Sequence, residues 1–241
     1  MRANRPWGAA SGRLSVVVPA LDEAAGVAGA VQSARAAGAD EVIVVDGGST
    51  DATTERACAA GAVVVTSERG RAVQMNAGAE AARGDAPTRD VLVFLHADTH
   101  LPPDAARQIR RALDGGAESG CFRLRFDHDA PLLRLYAAAT RLPLPWLVYG
   151  DRALWCTRAA FDAVGGVPRL PVFEDVAFVR ALHRRGTFRF VPAAVTTSAR
   201  RFLRDGLLRR QLRNTVLTAA YWLGVPPARL ARAYGYGARR G

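Results

Sequence analysis

No lysine occurs anywhere in the sequence; all 33 basic side chains are arginine. An all-arginine set reads in two ways, as the bias of a genome or as selection for a polyanionic partner. Cysteine is nearly as scarce. Cys58, Cys121 and Cys156 are odd in number and lack paired spacing, which argues against a disulfide framework and a zinc cluster and points to a reducing, cytosolic setting. The first twelve residues carry Arg2 and Arg5 but no apolar stretch of signal-peptide length, so 1–12 reads as a disordered leader. The apolar run Thr215 to Leu223 falls far short of the roughly 20 residues a membrane span needs. No glycine fingerprint follows the first apolar strand, which weighs against a nicotinamide oxidoreductase, and a nucleotidyltransferase, which shares much of the layout, would usually show a glycine-rich basic loop there. Neither internal repeats nor linkers divide the chain, so 13–226 reads as one domain and 227–241 as a basic tail.

The charge that is present is unevenly placed. Of a net +11, residues 200–241 hold ten arginines against the single acid Asp205, a net +9 for that segment. Such asymmetry suits an acidic membrane surface or a nucleic acid. A nucleic-acid module should interleave aromatics with its arginines, yet only Phe202, Tyr221 and Trp222 are at hand, at apolar helical spacing, so no nucleic acid is expected.

Five β-rich runs, Leu14–Val18, Glu41–Val45, Ala62–Thr66, Val91–Leu95 and Cys121–Phe126, alternate with helix-length stretches at Gly26–Ala37, Ala52–Ala60, Arg71–Ala82 and Asp104–Leu113. Continuous apolar strands such as Val16-Val17-Val18 suit a parallel sheet covered on both faces, and the alternation predicts a doubly wound α/β fold. Further helices are expected near Leu132–Thr140 and from Glu174 to Arg185. A single amphipathic helix is expected from Arg204 to Leu223, ended by Gly224 and Pro226-Pro227.

In such sheets ligands bind beyond the carboxyl ends of the strands. Pro19-Ala20-Leu21-Asp22-Glu23 follows the first strand, Asp46-Gly47-Gly48-Ser49-Thr50-Asp51 the second and His96-Ala97-Asp98-Thr99 the fourth. Gly47 and Gly48 permit close backbone approach to a ligand, and Ser49 or Asp51 suits the cap of the next helix. Asp46 has no such duty and is expected to accept hydrogen bonds from a ribose or a base. Arg69-Gly70-Arg71 offers cations for phosphate, though surface arginines usually do nothing of the kind. Asp98 offers hard oxygen to a divalent cation, Mg²⁺ or Mn²⁺, that bridges phosphates. Its alternative is a helix cap for the segment starting near Pro102, four residues too far on. Glu174-Asp175 supplies either a general base or a charge that suits a helix N-terminus, and its own neighbourhood favours the second.

Taken in order, these stretches resemble the family 2 glycosyltransferases of the GT-A fold. Val16 to Glu23 is similar to their opening strand and P-x-x-N-E turn, with Asp22 in place of Asn, and Val44 to Asp51 to their V-D-D-G-S-T-D loop. Gln74-Met75-Asn76-Ala77-Gly78, Ala82-Arg83-Gly84-Asp85 and Phe161-Asp162-Ala163-Val164-Gly165-Gly166 match later motifs, so the likeness runs from about Leu14 to about Gly224. It implies a central, mostly parallel sheet flanked by helices, a nucleotide-sugar donor, and a divalent cation. It further implies that Pro19, Glu23, Asp46, Gly48, Arg71 and His96 serve the nucleotide, that Asp98 is the metal-binding end of a D-x-D, and that Asp175, with Glu174, is the base.

Two departures stand out: His96 replaces the first acid of the D-x-D, and Gly47 replaces the second acid of the V-D-D loop, which in the family recognises the base. Metal affinity is therefore expected to be weaker or softer, and a uridine donor rests on family habit alone. The set Asp46 to Ser49, His96 to Thr99, Glu174 to Val176 and Thr196 to Arg201 looks most like a bacterial subgroup labelled arsenosugar-biosynthesis glycosyltransferases. Gln211-Leu212-Arg213-Asn214 resembles the Q-x-x-R-W of processive relatives, with Asn for Trp, so transfer of one sugar is expected rather than polymerisation. Arg200, Arg201 and Arg210 are expected either over the departing diphosphate or against acidic lipid, as peripheral attachment on the cytoplasmic side.

Overall fold

The computed structural model describes residues 12–82, 84, 86–142 and 148–233. Most of the expected leader, Arg83 and Asp85, the Pro143 to Pro145 connector and residues 234–241 lie outside the described residues. Strands β1 (Leu14–Ala20), β2 (Glu41–Asp46), β3 (Val63–Thr66) and β4 (Val91–Phe94) alternate with helices α1 (Val27–Ala36), α2 (Thr53–Ala59) and α3 (Arg71–Ala81). A two-residue strand β5 (Thr99–His100), α4 (Ala105–Asp114), β6 (Ser119–Phe126) and α5 (Pro131–Ala139) follow. A 3-10 turn at Gly150–Arg152 leads into β7 (Leu154–Thr157), α6 (Arg158–Ala163), α7 (Glu174–Arg185) and β8 (Phe188–Thr197). The chain closes on α8 (Arg200–Asp205), α9 (Leu207–Trp222) and α10 (Pro227–Ala233).

The eight strands form one sheet in the order β3-β2-β1-β4-β7-β6-β8-β5. The first four are parallel, with Val16 opposite Val42 and Val17 opposite Phe94. The sheet then turns mixed: β7 runs antiparallel to β4 and β6, β6 and β8 are parallel, and β5 is antiparallel to β8. The expected mostly parallel α/β sheet is thus present, and β5, β7 and β8 are additions to it.

Strand residues face alternately to two sides and so feed two cores. Val16, Val18, Val42 and Val44 pack with α1, α4 and α5, whereas Val17, Ile43 and Val45 pack with α3, α6 and α7. Helix α1 answers with Val27, Ala30, Val31 and Ala34, an i, i+3, i+4, i+7 stripe. Helix α3 lies directly on the strands because Gly78 has no side chain: a Cβ there would sit 2.3 Å from Val17 Cγ1 and 2.9 Å from Val45 Cγ2. This close seating carries Arg71, the first residue of α3, to the carboxyl ends of β1 and β2.

The expected single tail helix is two. Gly206 adopts φ +82, a left-handed conformation that ends α8 and lets α9 start in a new direction. The segment beyond Pro226 resumes as α10 instead of trailing off directly. Cys121 and Cys156 are buried free thiols and Cys58 is an exposed one.

Candidate functional site

The loops after β1 and β2 are laced to each other. Asp22, at φ 52, accepts from the Thr50 N–H at 2.8 Å while its own N–H donates to Ser49 Oγ at 3.0 Å. The Glu23 N–H donates to Thr53 Oγ1 at 2.8 Å, and Ala24 N–H to Asp51 Oδ2 at 3.1 Å. Beneath them the buried amide of Gln74 donates to Ala20 O at 2.7 Å and Val45 O at 2.8 Å, tying the ends of both strands to α3.

This lacing corrects one expectation. Asp46 does have a structural duty: its carboxylate accepts the N–H groups of Gly48 at 3.0 Å and Ser49 at 3.1 Å, and the Ser49 hydroxyl as well. Neither Asp46 nor Gly48 lines the large cavity described next. Both shape the loop, Gly48 through its φ of +91. Of the expected side-chain caps for α2, Asp51 is seen in part: its Oδ1 accepts from the N–H of Thr53, the first residue of the helix, at 3.0 Å while its Oδ2 holds the β1 loop; Ser49 binds the β1 loop alone, and the residue at the N-cap position itself is Ala52.

A cavity of about 1920 Å³ opens at the carboxyl ends of β1 and β4. Its wall includes Pro19, Glu23, Arg71, His96, Asp98, Glu174 and Asp175, together with Arg200, Arg201 and Arg210 from the tail helices. Ten expected site residues from five separate parts of the chain therefore meet in one cleft. The Asp98 turn is held from both sides: the backbone O of Asp98 accepts from Ser198 N–H at 3.0 Å, and Thr99 pairs with Thr197 through β5 and β8. Gly26, at the start of α1, sits so close that a Cβ would lie 2.6 Å from Ala97 O. Asp98 caps no helix, since α4 begins after Asp104.

Charge in the cleft is finely opposed. The Arg71 guanidinium lies 3.3 Å from Glu174 Oε1. Burial, with Asp175 adding to it, raises the Glu174 carboxyl above its ordinary value against the pull of Arg71. Burial first, then Arg71 and Arg201, hold His96 well below its ordinary value against the opposing effect of Asp98, so its imidazole is neutral with a lone pair available. Arg200 pairs with Glu23 and reaches Asp98 Oδ2 at 3.4 Å, while Arg201 meets Glu23 Oε1 at 3.0 Å. Arg210 pairs with Asp205 at 2.8 Å. All three arginines thus have a carboxylate partner in the cleft wall, Arg210 well covered and Arg200 and Arg201 partly exposed.

Asp175 is buried and positioned by two backbone donors, Gly150 N–H at 2.6 Å and Val176 N–H at 2.8 Å. Phe173, just before the acid pair, is held at φ 61, a strained conformation for an aromatic residue. Its ring stacks on Tyr221 of α9, centroids 4.5 Å apart and 17° from parallel, and Tyr149 Oη meets Thr218 Oγ1 at 3.3 Å. Helix α9 thereby braces the segment that carries Asp175.

One acid in this cleft carries no expected role. Asp151 lines the cavity, its Oδ1 is buried without a hydrogen-bond partner, and burial, with Asp175 and Asp98 adding to it, pushes its carboxyl up to about 6 against Arg152 and Arg71. The next residue, the fully buried Arg152, donates to Phe122 O at 2.8 Å and Thr140 O at 2.9 Å and is followed by Ala153 at φ 46. The Gly-Asp pair between two prolines and a strand is a weak signal in sequence; only the fold buries it beside Asp175.

The sequence profile described as Glycosyl transferase family 2 matches residues 15–158. The chain belongs to glycosyl transferase family 2. Among solved structures, glucosyl-3-phosphoglycerate synthase from Mycobacterium tuberculosis, crystallised with Mg²⁺ and uridine diphosphate, aligns at TM-score 0.62 and 22% identity over 90% of this chain and 81% of that one. The same enzyme with Mn²⁺, UDP-glucose and phosphoglyceric acid gives TM-score 0.62, with 90% of this chain and 82% of that one covered. S. aureus TarS aligns at TM-score 0.61 and 15% identity over 78% of this chain and 60% of its own. These likenesses confirm the GT-A architecture. No curated protein matches the chain.

Proposed function

We propose that this family 2 glycosyltransferase carries out inverting transfer of a single sugar from a nucleotide-diphospho-sugar, a UDP-sugar by preference, to an acceptor hydroxyl. The observation that carries the proposal is the convergence of Asp98, His96, Arg71 and the Glu174-Asp175 pair on one cleft at the strand ends. Pro19, Glu23 and Arg71 wall the nucleotide side, with Asp46 and Gly48 acting through the loop they shape. Asp175, fixed by two backbone N–H groups, takes the proton of the acceptor hydroxyl, which attacks the anomeric carbon opposite the departing diphosphate. Arg71, Arg200 and Arg201 supply positive charge where negative charge develops. The uridine preference draws on neighbours crystallised with UDP; Gly47, where the family has an acid, adds nothing to it.

The donor set in the cleft fits a phosphate-bridged cation better than a protein cage. Among the described residues no group of three or more His, Cys, Asp or Glu side chains could enclose an ion, but Asp98 and neutral His96 would hold Mg²⁺ or Mn²⁺ that the phosphates complete. Such an ion supplies Lewis-acid stabilisation of the leaving diphosphate. Arg200 already reaches Asp98, so guanidinium and cation compete for one carboxylate. The motifs Asp46 to Ser49, His96 to Thr99, Glu174 to Val176 and Thr196 to Arg201 support placement in the arsenosugar-labelled subgroup. A second reading, in which the acceptor is a lipid or carotenoid and the cytoplasmic enzyme works at a membrane surface, is favoured by the exposed apolar residues of α9.

The test is binding and hydrolysis of UDP- and GDP-sugars with and without Mn²⁺ or Mg²⁺, on wild type and Asp98→Ala. One donor that binds or turns over only with metal, lost in the variant, is expected. No binding of any nucleotide-sugar under any condition would end the proposal.

A further inference from the structure

Helix α9 has two faces with different business. Inward, Leu217 is buried, Thr218 meets Tyr149 and Tyr221 stacks on Phe173. Outward, Leu208, Leu212 and Val216 follow at i, i+4 and i+8 with exposures of 77%, 67% and 58%, and Leu223 just past the helix end is 85% exposed. Among the described residues, the large exposed apolar side chains gather here: besides these four, Leu203 and Trp222 belong to the same stretch, and only Val63, Leu135 and Leu142 lie elsewhere. A contiguous exposed apolar stripe marks an interaction surface. Its chemistry is set by its neighbours. Arg209 and Arg213 each follow a stripe leucine by one position, Arg204 stands exposed at the end of α8, all three sit on the rim that the stripe shares with the cleft, and the only acid of the segment, Asp205, faces Arg204, Arg210 and, at 3.9 Å, Arg213.

From this pairing of an exposed leucine stripe with a flanking arginine rim, we infer that the outer face of α9 lies in the headgroup region of an anionic bilayer. The apolar residues enter the acyl boundary and Arg204, Arg209 and Arg213 meet lipid phosphates, the arrangement of an interfacial amphipathic helix. Among the described residues no helix is long and apolar enough to cross a membrane, so attachment is along the surface. Arg200, Arg201 and Arg210, expected from sequence over the diphosphate or against lipid, lie on the same cleft and pair with Glu23 and Asp205. The inference deepens the membrane-surface reading above and rests on it only for the consequence that an acceptor would arrive from the bilayer.

The test uses the full chain and two vesicle types, phosphatidylcholine alone and phosphatidylcholine with phosphatidylglycerol, in co-sedimentation at low and high salt. Three arginines near an anionic surface, each worth about fivefold, predict a preference on the order of a hundredfold for the anionic vesicles, weakened by salt. The triple variant Leu208→Ser, Leu212→Ser, Leu223→Ser should lose at least about tenfold of that binding while keeping the wild-type circular dichroism and UDP affinity. Absence of binding to anionic vesicles, or binding indifferent to the three leucines, overturns the inference. So does a wild-type dimer that the triple variant splits without any vesicle effect, since a second copy would then be the occupant. Loss of UDP binding by the wild type strikes the transferase reading and leaves the vesicle result to be judged separately.

Discussion

Gly150→Ala tests the placing of the candidate base against the turn that tethers it, with His96 the one other cleft residue it presses. An added Cβ would stand 3.1 Å from both Asp175 Oδ2 and His96 Nε2 and 3.3 Å from Asp175 Cβ. Contacts that tight must open by a few tenths of an ångström. The 2.6 Å bond from Gly150 N–H to Asp175 Oδ2 is the tether that has to stretch or swing as they do. Misplacing a reacting group by about 1 Å costs on the order of a hundredfold in rate, so a shift of about 0.3 to 0.5 Å gives roughly a four- to tenfold fall in kcat, about 0.8 to 1.4 kcal/mol of barrier. Overpacking should lower stability by about 1 kcal/mol. Arg71 and the β1 loop are untouched, so affinity for UDP measured without divalent cation, where His96 has no ion to hold, should stay within about twofold. Steady-state hydrolysis of the donor, with UDP titrated calorimetrically on the same preparation, reads both quantities. An unchanged kcat, or a UDP affinity that falls in step with kcat, would refute the placing of Asp175 as base against this turn.

Two further substitutions test the same turn. Asp151→Asn should stabilise the fold and impair turnover together, because the carboxylate is buried with one oxygen unpartnered. With the native carboxyl at about 6 and the unfolded one near the ordinary value of 3.8, the folded state holds its proton more tightly. The stability this gives is present below about pH 4 and is lost as pH rises through 6, by roughly 2 to 3 kcal/mol. Thermal melts from pH 4 to 7 should show that slope in the wild type and not in the variant; a parallel pair of curves would show that burial of Asp151 has been misjudged. Arg152→Met should destabilise by about 3 kcal/mol in urea titration, since it removes the donors for Phe122 O and Thr140 O and leaves two buried carbonyls unpaired.

What the sequence makes legible is what local periodicity encodes. β1 to β4 are apolar runs between turn residues, and α1, α3 and α7 appear within a residue or two of their expected ends. β7 is only four residues long and wholly buried, and β8 contains Pro192, so neither shows the alternation of a free-standing strand. The break between α8 and α9 hangs on Gly206, one residue inside an otherwise continuous amphipathic pattern. For the site, acids and arginines at strand ends are visible as types, but Asp46 shows the limit. Its binding to the N–H two and three residues ahead is a local Asx-type turn that the Asp-Gly-Gly-Ser spelling does announce. Asp151 announces nothing, because its burial comes from packing of its turn against β6 and the Glu174-Asp175 segment, which no local spelling encodes.

The stack of Phe173 on Tyr221 turns α9 into a wall shared by two compartments. Linkage between such compartments runs both ways: whatever the seating of this helix does to affinity inside the cleft, occupancy of the cleft must do, by the same factor, to whatever grips the helix from outside. A reaction cycle that loosened or tightened Phe173 would thus be felt at the outer surface as a change in residence time, with no moving part beyond one aromatic pair.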